Sequence, residues 1–138
     1  MSGPIVVDSS VAFKWLFVLG ENRVDRAVEL LHQHLTGETI LIAPSSLPCE
    51  VASALRCKKR LAPPEVIELI GYLEAIDIHL VDVTYSRVRS ATKRAYRHGL
   101  TVYDALFLDL AEEFDCPLVT ADHRAFIGVD TPVEIRVL

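Results

Sequence analysis

Residues 101–122, TVYDALFLDLAEEFDCPLVTAD, determine how the rest of the sequence is interpreted. Their first half predicts an amphipathic helix whose N-cap is Thr101, with Asp104 giving a capping-box-like start. A turn at 115–117 then leads into a short apolar strand that ends in Asp122. Strands that are apolar on both faces are typical of parallel sheets. Because a helix runs antiparallel to its strand in an α/β layer, we expect Asp104 and Asp122 at the same edge of the sheet.

The composition indicates one domain, spanning residues 1–138, with a large core. Hydrophobic residues make up 51% of the chain, enough to bury roughly two-thirds of the unfolded surface at this length. No apolar run approaches the roughly 20 residues that cross a bilayer, and no export signal is visible. We therefore expect a cytoplasmic protein without a membrane partner. The net charge of −5 argues against a protein that coats nucleic acid electrostatically, but permits an enzyme that reaches phosphates through metal ions.

The three cysteines are odd in number, and none forms a CxxC pair. This spacing argues against a zinc site or a disulfide framework and fits a reducing cytosol. All three are predicted to be small, buried hydrophobic side chains: Cys49, Cys57 and Cys116.

Apolar β-rich runs alternate with helical periodicities along the chain. The predicted strands are 4–7, 39–43, 79–83, 118–119 and 133–137, and a short helical turn is predicted at 123–127. This alternation, without hairpin signals, predicts an α/β fold with a mostly parallel sheet and helices on both faces. The strand order is left open, although each crossover is expected to be right-handed.

Four acidic residues are assigned to the carboxyl ends of these strands, the edge at which open α/β sheets bind ligands. Asp8 and Asp122 follow strands directly, whereas Glu50 and Asp104 lie in the first turns of helices. Each acid taken alone has an ordinary structural role, as a helix cap or as a charge that favours the helix dipole. Together they repel, by about 3 kcal/mol for two carboxylates about 5 Å apart at an effective dielectric near 20. A cation, shared protons or basic partners must offset this. Acidic oxygen clusters suit Mg²⁺ or Mn²⁺, which can activate water at a phosphodiester.

At these residues the chain resembles the PIN-domain nucleases, and among them the VapC-type toxins of toxin–antitoxin pairs. The matching segments are VVDSSV (6–11), PCEVASAL (48–55) and the stretch 101–122. The resemblance implies a three-layer sandwich with a mostly parallel, about five-stranded sheet. It also implies a homodimer and an antitoxin that blocks the site with a basic side chain.

The same resemblance implies a metal-dependent endoribonuclease. Its acidic quartet would bind Mg²⁺ or Mn²⁺ for RNA cleavage, with two polar residues in support: Asp8, Glu50, Asp104 and Asp122, with Ser10 and Thr120.

Two basic stretches are candidate contacts for RNA phosphates, with a merely solubilising face as the alternative for each. The candidates are Arg56, Lys58, Lys59 and Arg60 in the first stretch, and Lys93 and Arg94 in the second.

Other conspicuous side chains are given structural roles. Asp109 lies about 140° around the helix from Asp104, and with Glu112 and Glu113 it is predicted to form a solvated stripe. Tyr103 and Trp15 could stack on bases, but core packing is expected for both.

Three functional alternatives stay open beside a toxin ribonuclease. One is a PIN nuclease that processes RNA without an antitoxin, and another is an inactive interaction module. The third is a magnesium-binding receiver-like switch, which expects an acid pair after the first strand and a lysine on the last. The first strand offers only Asp8, and residues 131–138 contain no lysine.

Overall fold

The computed structural model describes residues 3–138. The strands in this part of the chain are Pro4–Val7 (β1), Ile40–Pro44 (β2), His79–Val81 (β3), Leu118–Thr120 (β4) and Ile135–Val137 (β5). The helices are Ser9–Leu16 (α1), Val24–Leu35 (α2), Leu47–Lys59 (α3), Pro63–Ile76 (α4), Tyr85–His98 (α5) and Val102–Phe114 (α6). The predicted α/β alternation is confirmed. Residues 123–127 form turns rather than a regular helix.

All five strands are parallel, and their order in the sheet is β3-β2-β1-β4-β5. The chain therefore builds outward from β1 to β3 and then returns to place β4 on the other side of β1. This reversal creates the crevice outside the carboxyl ends of β1 and β4 at which such sheets bind ligands. Because Val7 pairs with Val119 in the register, the next residues, Asp8 and Thr120, leave the sheet side by side.

The hydrophobic core forms around the three middle strands. Val6, Leu41 and Leu118 are fully buried there, and burying one side chain of this size contributes about 1.5 to 3 kcal/mol. Helix α6 is buried along the whole of residues 105–111 because it packs against β1 and β2 on one side and α5 on another. It is thus an interior helix and not the amphipathic one that was predicted. None of the helices within residues 3–138 is both long and apolar enough to cross a membrane.

Asp109 is buried, so the prediction of a solvated stripe is wrong. Its Oδ2 accepts a hydrogen bond from Arg87 Nη1 at 2.9 Å, and its Oδ1 accepts from Arg94 Nη1 at 2.7 Å and Ser90 Oγ at 2.5 Å. Helix α5 covers this face of α6 and supplies the two guanidinium groups, an arrangement that helix periodicity does not reveal. Of the predicted stripe only Glu113 is exposed.

Two of the three cysteines are exposed, contrary to prediction. Cys49 and Cys57 face solvent, whereas Cys116 is buried as expected. The inward face of α3 is formed by Leu47, Val51 and Leu55. Cys49 and Cys57 are not on this face, so they are exposed.

The aromatic predictions have mixed outcomes. Tyr103 is 64% exposed and does not join the core. Trp15 is partly buried against the core, and its Nε1 donates a hydrogen bond to the backbone oxygen of Ala27 at 2.7 Å.

We expect Asp109→Asn to lower the free energy of unfolding by about 2 kcal/mol, because it removes the buried carboxylate that Arg87 and Arg94 share and leaves them only Glu113 and Glu112. Urea denaturation at pH 7 measures the change. The control is Glu134→Gln, since Glu134 pairs with Arg136 on the exposed surface and such pairs contribute less than about 1 kcal/mol. Equal losses in the two variants would show that the α5–α6 ion pairs do not stabilise the fold.

Candidate active site

Asp8 is held in a fixed position between β1 and β4. Its carboxylate is almost fully buried and caps α1, with Oδ1 accepting from the Ser10 backbone N–H at 3.0 Å and also from the Ser10 hydroxyl. Oδ2 accepts from Thr120 Oγ1 at 2.5 Å. Ser10 Oγ in turn accepts from the Ala121 N–H at 2.9 Å. Ser10 and Thr120 thus join α1 to β4 through the Asp8 carboxylate.

Glu50 lies in the first turn of α3 and is half-buried. Its two oxygens accept hydrogen bonds from Ser9 Oγ at 3.5 Å and from Ser46 Oγ at 3.3 Å. Ser46 occupies the N-cap position of α3 but makes no capping bond. Its hydroxyl binds the Glu50 carboxylate instead.

Asp104 opens α6 but does not complete a capping box. Thr101 Oγ1 accepts from the Asp104 N–H at 3.1 Å. No return bond from the Thr101 N–H to the Asp104 carboxylate occurs in the part of the chain that the structure describes. The carboxylate is therefore not used as a cap.

Asp122 is exposed and partly used in local structure. Its Oδ1 caps the turn that follows, accepting from the N–H groups of Arg124 and Ala125 at 3.1 and 3.2 Å. Within residues 3–138 its other oxygen, Oδ2, accepts no hydrogen bond.

The four carboxylates share one electrostatic environment centred on Asp104. Burial raises the pKa of Asp8 to about 6 and that of Glu50 to about 7. In both residues, hydrogen bonds from hydroxyl groups lower the pKa, whereas the negative charge of Asp104 raises it further. Burial likewise raises the pKa of Asp104, and the charge of Asp122 adds to that shift. Asp104 is therefore electrostatically coupled to each of the other three acids.

A cleft of about 600 Å³ lies over this edge of the sheet. Asp8, Asp104 and Asp122 line it, but Glu50 does not. Across residues 3–138, no three histidine, cysteine or acidic side chains are arranged to hold a metal ion as they stand. The four acids thus lie at the same edge of the sheet and interact electrostatically, but they do not form a complete set of metal ligands. Mutual repulsion between carboxylates favours such separation.

Of the six basic side chains proposed to contact RNA, only Lys58 lines the cleft. Its Nζ lies 5.8 Å from the centre of the Phe13 ring. The neighbouring Lys59 is not part of the lining. Its Nζ lies 5.9 Å from the Phe13 ring centre and 5.1 Å from the Phe17 ring centre, and it donates a hydrogen bond to the Leu19 backbone oxygen at 2.9 Å.

The other basic candidates lie outside the cleft lining. Arg94 is bound by Asp109 and Glu112, so it is a structural residue and not a free cation. The rest are exposed on the surface: Arg56, Arg60 and Lys93.

The sequence reasoning missed Lys14, which also lines the cleft. Its side chain is buried, and Nζ donates to Glu21 Oε1 at 3.1 Å and to the Asn22 backbone oxygen at 2.7 Å. The available signal was a single lysine inside the apolar run VAFKWLFV, residues 11–18. A buried lysine needs a partner, and here the partner is the loop that follows α1.

The PIN domain family model matches residues 5–131 of the sequence. The chain belongs to the PIN domain family. This PIN domain is 33% identical over 108 residues to Ribonuclease VapC1 of Mycobacterium tuberculosis, covering 75% of this chain and 79% of that protein. The resemblance to VapC-type PIN domains is confirmed.

Two solved structures share the fold of this PIN domain. Mycobacterium tuberculosis VapC20, a Sarcin-Ricin loop cleaving toxin, superposes with a TM-score of 0.69 at 15% identity, covering 94% of this chain and 98% of that one. The second is VapBC2 from Rickettsia felis, which was solved bound to a DNA fragment from the VapBC2 promoter. It superposes with a TM-score of 0.67 at 12% identity, covering 98% of each chain. The predicted five-stranded parallel α/β architecture is confirmed.

We expect Asp8 to make the metal-free protein less stable as the pH rises from about 4 to about 7. The pKa of Asp8 is about 6 in the folded protein against 3.8 ordinarily, so the unfolded chain releases this proton first. The protonated carboxyl of Asp8 contributes to the free energy of unfolding below pH 4, and this contribution is lost as the pH rises through 6. The loss amounts to about 3 kcal/mol.

Urea unfolding of wild type and Asp8→Asn in EDTA, from pH 4.5 to 8, isolates this carboxyl. Relative to wild type, Asp8→Asn should gain stability as the pH rises to about 7 and show no further gain above it. A difference between the two proteins that does not change with pH would contradict the burial of a repelled carboxylate.

Proposed function

We propose that this PIN domain is a metal-dependent endoribonuclease that hydrolyses RNA phosphodiester bonds, and that it is the toxin of a toxin–antitoxin pair. The observation that carries the proposal is the group of three carboxylates that line the cleft, Asp8, Asp104 and Asp122. The charge of Asp104 couples them to Glu50 outside the lining. The name of the relative Ribonuclease VapC1 supports RNA as the substrate class.

The donor set fits Mg²⁺ or Mn²⁺. Among residues 3–138, the cleft lining offers carboxylate and hydroxyl oxygens and no thiol or imidazole, and oxygen ligands are those that these hard cations prefer. The raised pKa values of Asp8, Glu50 and Asp104 express an electrostatic cost that a cation would relieve. Asp8, Asp104 and Asp122 line the cleft and would hold the ion. When bound, it would acidify water and stabilise charge on a phosphodiester.

The protein's own groups have distinct roles in this proposal. The hydroxyls of Ser10 and Thr120 donate to Asp8, which keeps both of its oxygens oriented and favours its ionised form. In the metal-free protein the pKa of Glu50 is about 7, so this carboxyl can exchange a proton near neutral pH. Lys58 lies on the cleft lining and offers a cation to the RNA backbone.

The proposal also includes protein partners. An antitoxin that inserts a basic side chain among these acids would satisfy the same repulsion that a metal ion relieves. Homodimerisation is the second expectation, and co-purification from the native source tests both. Cleavage of RNA by a protein that has no antitoxin there would instead favour a PIN nuclease of RNA processing.

We expect Asp104→Asn to reduce RNA cleavage in Mg²⁺ or Mn²⁺ by more than about 100-fold, since it removes the carboxylate that is coupled to the other three. Gel analysis of total RNA measures cleavage. Asp115→Asn is the matched control, because Asp115 ends the same helix in the left-handed region that asparagine tolerates. Cutting by Asp104→Asn at the wild-type rate, or cutting in excess EDTA, would disprove the proposal.

We expect Mn²⁺ to stabilise the protein at pH 7.5 and much less at pH 5, where protons occupy Asp8 and Glu50. At a hundredfold excess over Kd, the gain in unfolding free energy is about 2.7 kcal/mol. Thermal unfolding with and without Mn²⁺ measures it, and Asp104→Asn should lose most of the gain. A gain that is equal at both pH values would place the ion elsewhere.

A further inference from the structure

A second pocket, of about 320 Å³, adjoins the acid cleft. The two share Lys14, Asn22 and Ala121 in their linings. Apart from these, the second pocket is lined by Arg23, His123, Val137 at the end of β5, and Leu138. Within residues 3–138, no aspartate or glutamate side chain lines it. The two neighbouring cavities therefore differ in charge, because one is acidic and the other presents basic side chains.

Arg23 and His123 are available to a ligand in this pocket. Both side chains are exposed, and within residues 3–138 neither forms an ion pair. Arg23 occupies the N-cap position of α2 without making a side-chain capping bond. A guanidinium and an imidazole N–H are the donors that proteins commonly present to phosphate oxygens.

The position of Arg23 is tied to the acid cleft through Lys14. Lys14 donates to the Glu21 carboxylate and to both oxygens of Asn22, the residue before Arg23. Its charge is therefore balanced internally, and we do not count it as a free cation. Its effect is to hold the 21–23 segment against α1, so that Arg23 stands beside the cleft rather than away from it.

We propose that this second pocket, the phosphate pocket, binds a phosphodiester next to the scissile one in the RNA strand, with Arg23 and His123 as donors. The inference rests on the proposed ribonuclease function. Acids in the cleft repel a phosphate unless a cation lies between them, whereas the phosphate pocket offers donors directly. Because the two cavities share a wall, one strand can occupy both. Contacts of this kind position the strand without reading its bases.

The first test is RNA binding in EDTA, where cleavage does not interfere. The probe is a fluorescein-labelled, random-sequence single-stranded RNA 12-mer, followed by anisotropy over a range of salt concentrations. Arg23→Asn should weaken binding by about threefold to tenfold, and it should reduce the slope of log K against log salt by about 0.7, the value for one phosphate contact on a single strand. Asparagine tolerates the left-handed backbone of Arg23, whose φ is 55°.

The matched control is Arg26→Asn, which removes the same charge from an exposed position on the same helix. It should change neither the affinity nor the salt slope. His123→Ala should weaken binding in the same direction as Arg23→Asn. Thermal unfolding of each variant checks that the fold is retained.

The second test is steady-state cleavage in Mn²⁺. Arg23→Asn should raise KM several-fold and leave kcat near the wild-type value, because the contact binds ground state and transition state alike. A lower kcat with unchanged KM would overturn the inference by placing Arg23 at the scissile phosphate.

The outcomes separate the two proposals. If wild type binds and cleaves RNA but Arg23→Asn behaves like Arg26→Asn, the phosphate pocket is wrongly assigned and the ribonuclease proposal stands. If wild type neither binds nor cleaves RNA, the proposed function fails and the phosphate pocket fails with it.

Discussion

The parallel pairing of β1 with β4 is the constraint on which the site depends. It joins parts of the chain more than a hundred residues apart, and the pairing of Val7 with Val119 sets Asp8 beside Thr120. Both strands are apolar and buried, so the free energy that drives this pairing is hydrophobic. The polar bonds at the strand ends then hold the Asp8 carboxylate in one orientation. A one-residue slip in register would exchange the buried side chains between the two faces of the sheet, so the packing on both faces also protects the geometry of the site.

The same core makes the site electrostatically costly. Asp8 and Glu50 are withdrawn from water beside other carboxylates, and their raised pKa values measure that cost. Hydroxyl donors offset part of it, and a cation or a basic side chain from a partner would offset more. Catalytic groups are commonly held in such unfavourable surroundings at the expense of stability. Under the proposed function, a bound metal ion and a basic side chain from an antitoxin would both reduce this cost.

Two kinds of basic residue bear on the site in this acidic chain. Arg87 and Arg94 are held by Asp109 and fix α5 onto α6, which carries Asp104 at its start. Lys58 and Arg23 instead line the two adjoining cavities. Positive charge near the site is thus local, and a net charge of −5 is compatible with an RNA strand that passes over it. Overall charge limits how nucleic acid is bound but does not identify the surface that binds it.

The sequence alone determined the features that follow from neighbouring residues. These are the α/β alternation and the assignment of four acids to one sheet edge: Asp8, Glu50, Asp104 and Asp122. The sequence also carried the resemblance of their motifs to PIN nucleases. These follow because strand patterns and helix starts are local in the chain. Only the tertiary structure decided that β4 lies beside β1, that Asp109 is buried and that Glu50 is not part of the cleft lining. Such features depend on which elements pack against each other. Helix α5 packs over Asp109, and the loop after α1 packs over Lys14. Contacts between distant segments leave no periodic pattern in the sequence.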